Sequence, residues 1–359
     1  MSVDLTALGW NERIAEAFSV HAAEGFVPAR IALEHTHIYR VFTESGEWLA
    51  RISGRLRHGA ETRADFPAVG DWVAIEPPVE GQEARIRALL PRFSRFSRRA
   101  AGDPTEEQIV AANIDVVFLV SGLDGDFNPR RIERYLVVAW ESGATPVIVL
   151  NKADLVDDLS SIVEDVRTLA VGVEIHAVSC QMPGSVDVLR PYLGHGQTGA
   201  LLGSSGVGKS SIVNQLVGFD LMTTREVRES DSRGRHMSSA RQLVLLPGHG
   251  VLIDTPGMRE LQLWETGDAI AGTFADIDAL AEQCRFRDCQ HRTEPGCAVR
   301  AAVESGELAA ARLESFHKLA AEQAYQARQQ DQRAQLETKR RDRIGAKAVR
   351  KIIKDKGKT

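Results

Sequence analysis

Nine consecutive residues, Gly203-Ser204-Ser205-Gly206-Val207-Gly208-Lys209-Ser210-Ser211, fit the pattern G-x-x-x-x-G-K-[ST]. This is the loop whose backbone N–H groups wrap the phosphates of a nucleoside triphosphate. Gly203, Gly206 and Gly208 let the backbone come close to the phosphates, and a helix N-terminus beyond them adds a favourable dipole. Lys209 is then placed for the β- and γ-phosphates, and Ser210 for a Mg²⁺ ion. The flanks agree, because an apolar run, 199–202, leads in as a strand would and 212–216 leads out with a helical pattern.

A second group, Asn151-Lys152-Ala153-Asp154, directly follows the apolar strand Pro146–Leu150. A carboxylate at Asp154 accepts two hydrogen bonds from the N1 and N2 edge of guanine, whereas adenine would leave it unpaired. Asn151 would brace the loop, and the stem of Lys152 would cover the base. The next strand ends in Ser179-Cys180, the base loop, where Cys180 itself reads as a small buried residue. A third group, Asp254-Thr255-Pro256-Gly257, lies 45 residues beyond Lys209 at another strand end. Asp254 is suited to hold Mg²⁺ through water, and the Gly257 amide to sense the γ-phosphate.

Cys284, Cys289, His291 and Cys297 supply three thiolates and an imidazole within 14 residues. Such a set closes a tetrahedron around one structural Zn²⁺ and leaves no open position. The clustering of three of the four cysteines argues for metal rather than disulfides, and so for a reducing cytoplasm.

The elements that must position these groups follow from composition and periodicity. The chain has 359 residues, 43% apolar and 26% charged, with a formal net charge of −5. That length favours two or three domains. No apolar run approaches ~20 residues, so no membrane span is expected, and residues 1–20 lack the order of a signal peptide. Residues 336–359 carry ten Lys/Arg against three Asp/Glu, a balance of +7 that leaves −12 for the remainder. A basic tail on an acidic body suits a polyanionic partner, and would equally suit a solvated terminal helix.

Asn11 is suited to cap a short helix through Phe18. Between Pro28 and Arg98 five short alternating segments predict a small β-barrel; an oligonucleotide-binding (OB) barrel leads, and an SH3-like barrel would leave much the same trace. Arg85, Arg87, Arg92, Arg95, Arg98 and Arg99, with Phe93 and Phe96 among them, form a mixture suited to nucleic-acid contact. From Ile114 the pattern alternates strand and helix, with Pro129 opening a helix from Arg130 to Trp140. This predicts a doubly wound parallel sheet with its ligand at the carboxyl ends of the strands. Five regions result: an extension (1–30), the OB-like barrel (31–98), a nucleotide-binding domain (99–275), an α-helical zinc-binding module (276–335) and the basic tail (336–359).

The order of the motifs is rotated relative to Ras-like GTPases, since N-K-x-D precedes the phosphate loop and D-x-P-G. On these motifs and the zinc set the chain resembles the circularly permuted GTPases of the ribosome small subunit-dependent GTPase A family (RsgA/YjeQ), over nearly its whole length. The resemblance implies a multi-domain α/β protein that hydrolyses GTP to GDP and phosphate. It also implies binding to the 30S subunit and 16S rRNA during late maturation, with turnover stimulated by that subunit, and a cytoplasmic monomer. Met258 stands where Ras-like enzymes place the glutamine that orients water. The family uses a switch histidine instead, which is similar to His236. Where the family usually has a threonine run this chain has Met237-Ser238-Ser239, and either serine could meet Mg²⁺. Two other readings compete: a zinc-containing RNA-binding module whose guanine-nucleotide site binds without turnover, and an ATP-using enzyme, against which Asp154 argues.

Overall fold

A computed structural model of the chain describes residues 3–35, 38–79, 82–100, 103–125, 127–218, 242–248, 250–254, 270, 272–325 and 328. His236, Gly257, Met258, the two switch serines and the basic tail lie outside the described residues.

The alternating segments fold into β1 (Val27–His35), β2 (Ile38–Thr43), β3 (Gly46–Ile52), β4 (Trp72–Glu76) and β5 (Ala84–Leu89). They run in the order β1-β2-β3-β5-β4, and β4 pairs back onto β1, which closes the barrel. The β3–β5 pair is parallel and the others are antiparallel. Alternation puts Ile31, Val41, Val73 and Ile86 inside, as a period of two dictates. The barrel is OB-like, and its first strand starts ahead of residue 31.

Asn11 caps α1 (Glu12–Ala22) by accepting from the Ile14 N–H at 3.1 Å. The helix runs past Phe18, the end expected from the sequence, and packs Ile14 and Phe18 toward the barrel. Trp10 stands edge-on between Phe18 and Trp72, with ring centroids 5.7 and 5.0 Å away. A short helix, α2 (Gly54–Gly59), follows β3.

The arginine-rich stretch is partly structural. It enters a hairpin of β6 (Arg95–Ala100) and β7 (Asp103–Ala112), in which Phe96 is buried in the core and offers no face for stacking. Arg92 makes a forked pair with the fully buried Asp71, at 2.8 and 2.7 Å, and also donates to the carbonyls of Ala64 and Phe66. Arg87 pairs with Glu76. Arg92 and Phe96 are thus taken up by the fold, whereas Arg85 and Arg95 remain exposed.

Beyond it lie β8 (Val116–Gly122), α3 (Pro129–Ser142), β9 (Thr145–Asn151), α4 (Leu159–Leu169), β10 (Glu174–Ala177), β11 (Thr198–Leu202), α5 (Lys209–Val217), β12 (Gln242–Leu245) and β13 (Val251–Asp254). Their order is β10-β9-β8-β11-β13-β12. The first five strands are parallel and β12 is an antiparallel addition, a departure from the all-parallel sheet expected. Every residue of β8 is buried because both faces are covered. Val117 and Leu119 join Ile132 and Leu136 of α3, whereas Phe118 and Val120 join Ile212 and Leu216 of α5. Strand β12 also pairs with β1 at Gln242↔Leu33, so barrel and nucleotide-binding domain share one sheet. At this junction the buried Arg30 donates to Gly70 O, Asn113 O and Thr198 Oγ1 at 3.2, 3.0 and 2.8 Å.

The C-terminal module comprises α6 (Ala275–Ala281), α7 (Ala298–Ser305) and α8, a helix over 310–325. It docks on α3 through Glu133, which accepts from Arg312 at 2.7 Å and from Ser315 Oγ. Arg134 also donates to Glu322 at 2.8 Å. Among the described residues no helix is long and apolar enough to cross a membrane.

Candidate nucleotide site and metal centre

Strand β11 delivers the chain to the phosphate loop at Gly203. A Cβ there would lie 2.4 Å from Val120 O, so only glycine lets β11 continue beside β8. Gly208 has φ +95°, and a Cβ on it would come 2.1 Å from Asn151 Nδ2. Both restrictions are backbone requirements that side chains cannot meet. Lys209 begins α5, and its Nζ donates to Gly203 O and Ser204 O at 2.7 and 2.6 Å. Ser205 and Gly206 form the exposed tip of the loop, while Ser210 and Ser211 sit partly buried in the first turn of α5.

The second half of the site comes from β9 and β10. Asn151, 2% exposed, donates from Nδ2 to Val207 O at 2.7 Å and so fastens the phosphate loop from the end of β9, across β8. Lys152 adopts the left-handed region (φ 64°), and its ammonium pairs with Asp124 in the loop after β8. Asp154 follows in an exposed 3₁₀ turn, where its Oδ1 accepts from the Ser179 hydroxyl. Ser179 is buried and braced in turn, its N–H donating to Ser185 Oγ at 2.9 Å. The carboxylate is thereby aimed, with acceptor capacity left for a donor edge such as that of guanine.

The base loop is also tied to the phosphate-loop helix, because Gln215 of α5 donates from Nε2 to Cys180 O at 2.7 Å. The Cys180 thiol points at Asn151 Oδ1, 3.6 Å away. Burial pushes its pKa up, so it stays a neutral thiol.

Strand β13 lies beside β11, with Ala200 opposite Ile253. Asp254 therefore ends its strand next to the start of the phosphate loop. Carboxylate and hydroxyl oxygens, the kinds that Asp254 and Ser210 carry, are hard donors of the sort Mg²⁺ takes.

The structure thus brings together Asn151, Lys152, Asp154, Ser179, Cys180 and the whole phosphate loop. Motif reading missed four supporting residues: Asp124, Arg131, Ser185 and Gln215. Arg131, in the first turn of α3, donates to Ser204 Oγ at 2.7 Å. None of the four carries a local signature: Ser185 acts within its own loop, and Asp124, Arg131 and Gln215 are defined by which loops the fold brings together.

In the C-terminal module Cys284, Cys289, His291 and Cys297 converge, with all ligand atoms within 4.8 Å of one another. Cys284 Sγ lies 3.9 Å from Cys297 Sγ and 3.6 Å from His291 Nδ1, which is 3.4 Å from Cys297 Sγ. A tetrahedral zinc with ordinary bond lengths requires edges of about 3.8 Å between sulfurs and about 3.5 Å between sulfur and nitrogen. The set fits a structural zinc. Its chemistry fits as well, for burial lowers the pKa of His291 and keeps the imidazole neutral, as a ligand must be. Although burial opposes it, hydrogen bonds from the Val299 and Ala298 N–H groups hold the Cys284 thiol below its usual value. Those amides open α7, and Cys297 caps the same helix by accepting from the Arg300 N–H at 3.4 Å.

Residues 89–264 match the family model described as RsgA GTPase. The small ribosomal subunit biogenesis GTPase RsgA of Opitutus terrae is 47% identical over 336 residues, covering 91% of this chain and 92% of that protein. The protein of the same name from Methanosarcina acetivorans is 40% identical over 350 residues, covering 98% and 94%. The crystal structure of YjeQ from Thermotoga maritima superposes with a TM-score of 0.61 at 26% identity, over 82% of this chain and 96% of that one. The fold also agrees with that of YloQ, a circularly permuted GTPase, with a TM-score of 0.58 at 23% identity over 86% and 96%. With its motifs in rotated order and its site assembled at the strand ends, the chain belongs to the RsgA GTPase family.

Proposed function

We propose that this GTPase acts in late maturation of the small (30S) ribosomal subunit, contacting 16S rRNA as a cytoplasmic monomer, with GTP turnover raised by that subunit. The names of its relatives support the part in small-subunit biogenesis. The observation that carries the chemistry is the 2.7 Å bond from Asn151 to Val207 O, which joins the base-reading and phosphate-binding halves into one site.

In this reading Asp154 selects guanine, held in place by Ser179, and Lys152 covers the base. The amides of 203–208 and the Lys209 ammonium hold the phosphates, while Ser210, Asp254 and one of the switch serines hold Mg²⁺. When bound, Mg²⁺ neutralises charge on the phosphate oxygens. His236 orients the attacking water, a role the thioether of Met258 cannot fill. Gly257 senses the γ-phosphate. Catalysis is then positioning plus charge stabilisation. The working division is an extension (1–30) whose last residues already enter β1 of the barrel (31–98), then the GTPase domain (99–275), zinc module (276–335) and basic tail (336–359), with barrel and tail on rRNA.

The test is GTP hydrolysis by the purified protein alone, with 30S subunits and with 50S subunits. A rise with 30S alone is expected. A flat rate in all three, despite tight GTP binding, would favour a module that binds the nucleotide without turning it over.

A further inference from the structure

The phosphate loop is gripped on its descending limb by Asn151, through Val207 O. Its ascending limb is gripped by α3, the helix that packs on β8 and β9. Ser204, the second residue of the loop, receives Arg131 on its hydroxyl at 2.7 Å and Lys209 on its carbonyl at 2.6 Å. In the proposed site Lys209 turns to the nucleotide phosphates, and its bonds to the Gly203 and Ser204 carbonyls are exchanged for bonds to substrate. The Arg131 bond to the hydroxyl is not involved in that exchange. It holds the ascending limb while the lysine is redirected.

Arg131 is well placed for such a role. It projects from the first turn of α3, whose start is set by the Asn128 cap and Pro129. Two residues further on, Glu133 is locked to Arg312 and Ser315 of α8. The guanidinium therefore stands on a helix clamped from behind, and its hold on Ser204 is preorganised.

We propose that Arg131 is a positioning residue of the nucleotide site, shaping the ascending limb of the phosphate loop through Ser204. The proposal rests on the guanine-nucleotide reading given above. A residue that shapes the loop without touching the reacting atoms affects GTP and GDP alike, so its loss falls on Kd and KM rather than on kcat.

The experiment is a double-mutant cycle with Arg131→Ala, Ser204→Ala and the combined variant. Affinities for fluorescent GTP and GDP analogues, steady-state hydrolysis and thermal unfolding are measured for each. Each single variant should weaken both nucleotides by about tenfold, the usual scale for a lost hydrogen bond to a charged group. The combined variant should be no weaker than either alone. Arg131→Lys should recover part of the affinity, and Ser204→Ala carries the test if Arg131→Ala fails to fold. Additive losses, unchanged affinities, or a fall in kcat at constant Kd would overturn the role. If the unmodified protein binds no guanine nucleotide, the site reading fails and this role falls with it; unchanged binding in the variants alone overturns only Arg131.

Discussion

Glu133 and Arg312 are 179 residues apart in the chain and 2.7 Å apart in space, their side chains 2% and 6% exposed. The same guanidinium makes a fork with Asp276 at 2.6 and 2.8 Å, donates to Thr273 O and lies 4.8 Å above the Phe274 ring. One buried cation thus holds the GTPase domain, the start of the zinc module and its last described helix. Arg312→Ala strands two carboxylates, one fully buried, and should destabilise the protein by about 3–5 kcal/mol. Urea unfolding checks this. Arg312→Lys should recover little, because an ammonium cannot reproduce the fork.

Asp154→Asn should reverse base preference. The amide replaces an acceptor with a donor, which opposes the 2-amino group of guanine and suits the carbonyl of xanthine at that position. GTP affinity should fall by at least about 100-fold while XTP binds better than GTP. Competition between the two nucleotides for a labelled analogue reads the outcome directly.

The metal centre predicts one zinc per chain by elemental analysis, lost in Cys297→Ser. That variant loses a ligand while its serine hydroxyl still caps α7, so loss of the metal alone should open the segment 284–305 to protease, as chelation should in the unmodified protein. Acid should act in the same direction. The folded His291 is held below its usual pKa, so the neutral ligand persists to lower pH than a free imidazole before protons displace the metal. Zinc release followed against pH tests this.

Arg92→Ala leaves the Asp71 carboxylate buried without its guanidinium. Burial already pushes the Asp71 pKa up, so the folded state holds that proton more tightly than the unfolded chain. For an acid shifted this way, stability falls as pH rises through the ordinary carboxylate range. The substitution should therefore cost about 3 kcal/mol at pH 7 and less at pH 4. Adding Asp71→Asn should flatten the dependence. Unfolding midpoints at the two pH values separate the cases.

The phosphate loop, the base motif and the zinc set were legible in the sequence because each requires fixed residue types at short fixed spacing. The barrel strands were legible because one wet face and one dry face impose alternation. What could not be read depended on adjacency. Arg131 and Gln215 matter only because α3 reaches the phosphate loop and α5 reaches the loop after β10. Arg92 and Phe96 looked like a surface for nucleic acid until Asp71 and the core claimed them. The antiparallel sense of β12 follows from the short connection, 246–250, that joins it to β13 as a hairpin.

The strand order also has a consequence for how the chain is made. Within the parallel sheet, strands β8, β9 and β10 are consecutive and are made first, after the barrel, with Asp154 and Ser179 in the loops that follow β9 and β10. The edge of β8 stays open until β11 arrives, and β11 in turn waits for β13. A base-reading half is thus synthesised ahead of the phosphate-binding half, with a parallel edge exposed in the interval. Nascent chains whose emerged part ends between residues 180 and 198 present that edge without its partner, which makes this interval the one in which translation speed bears on solubility.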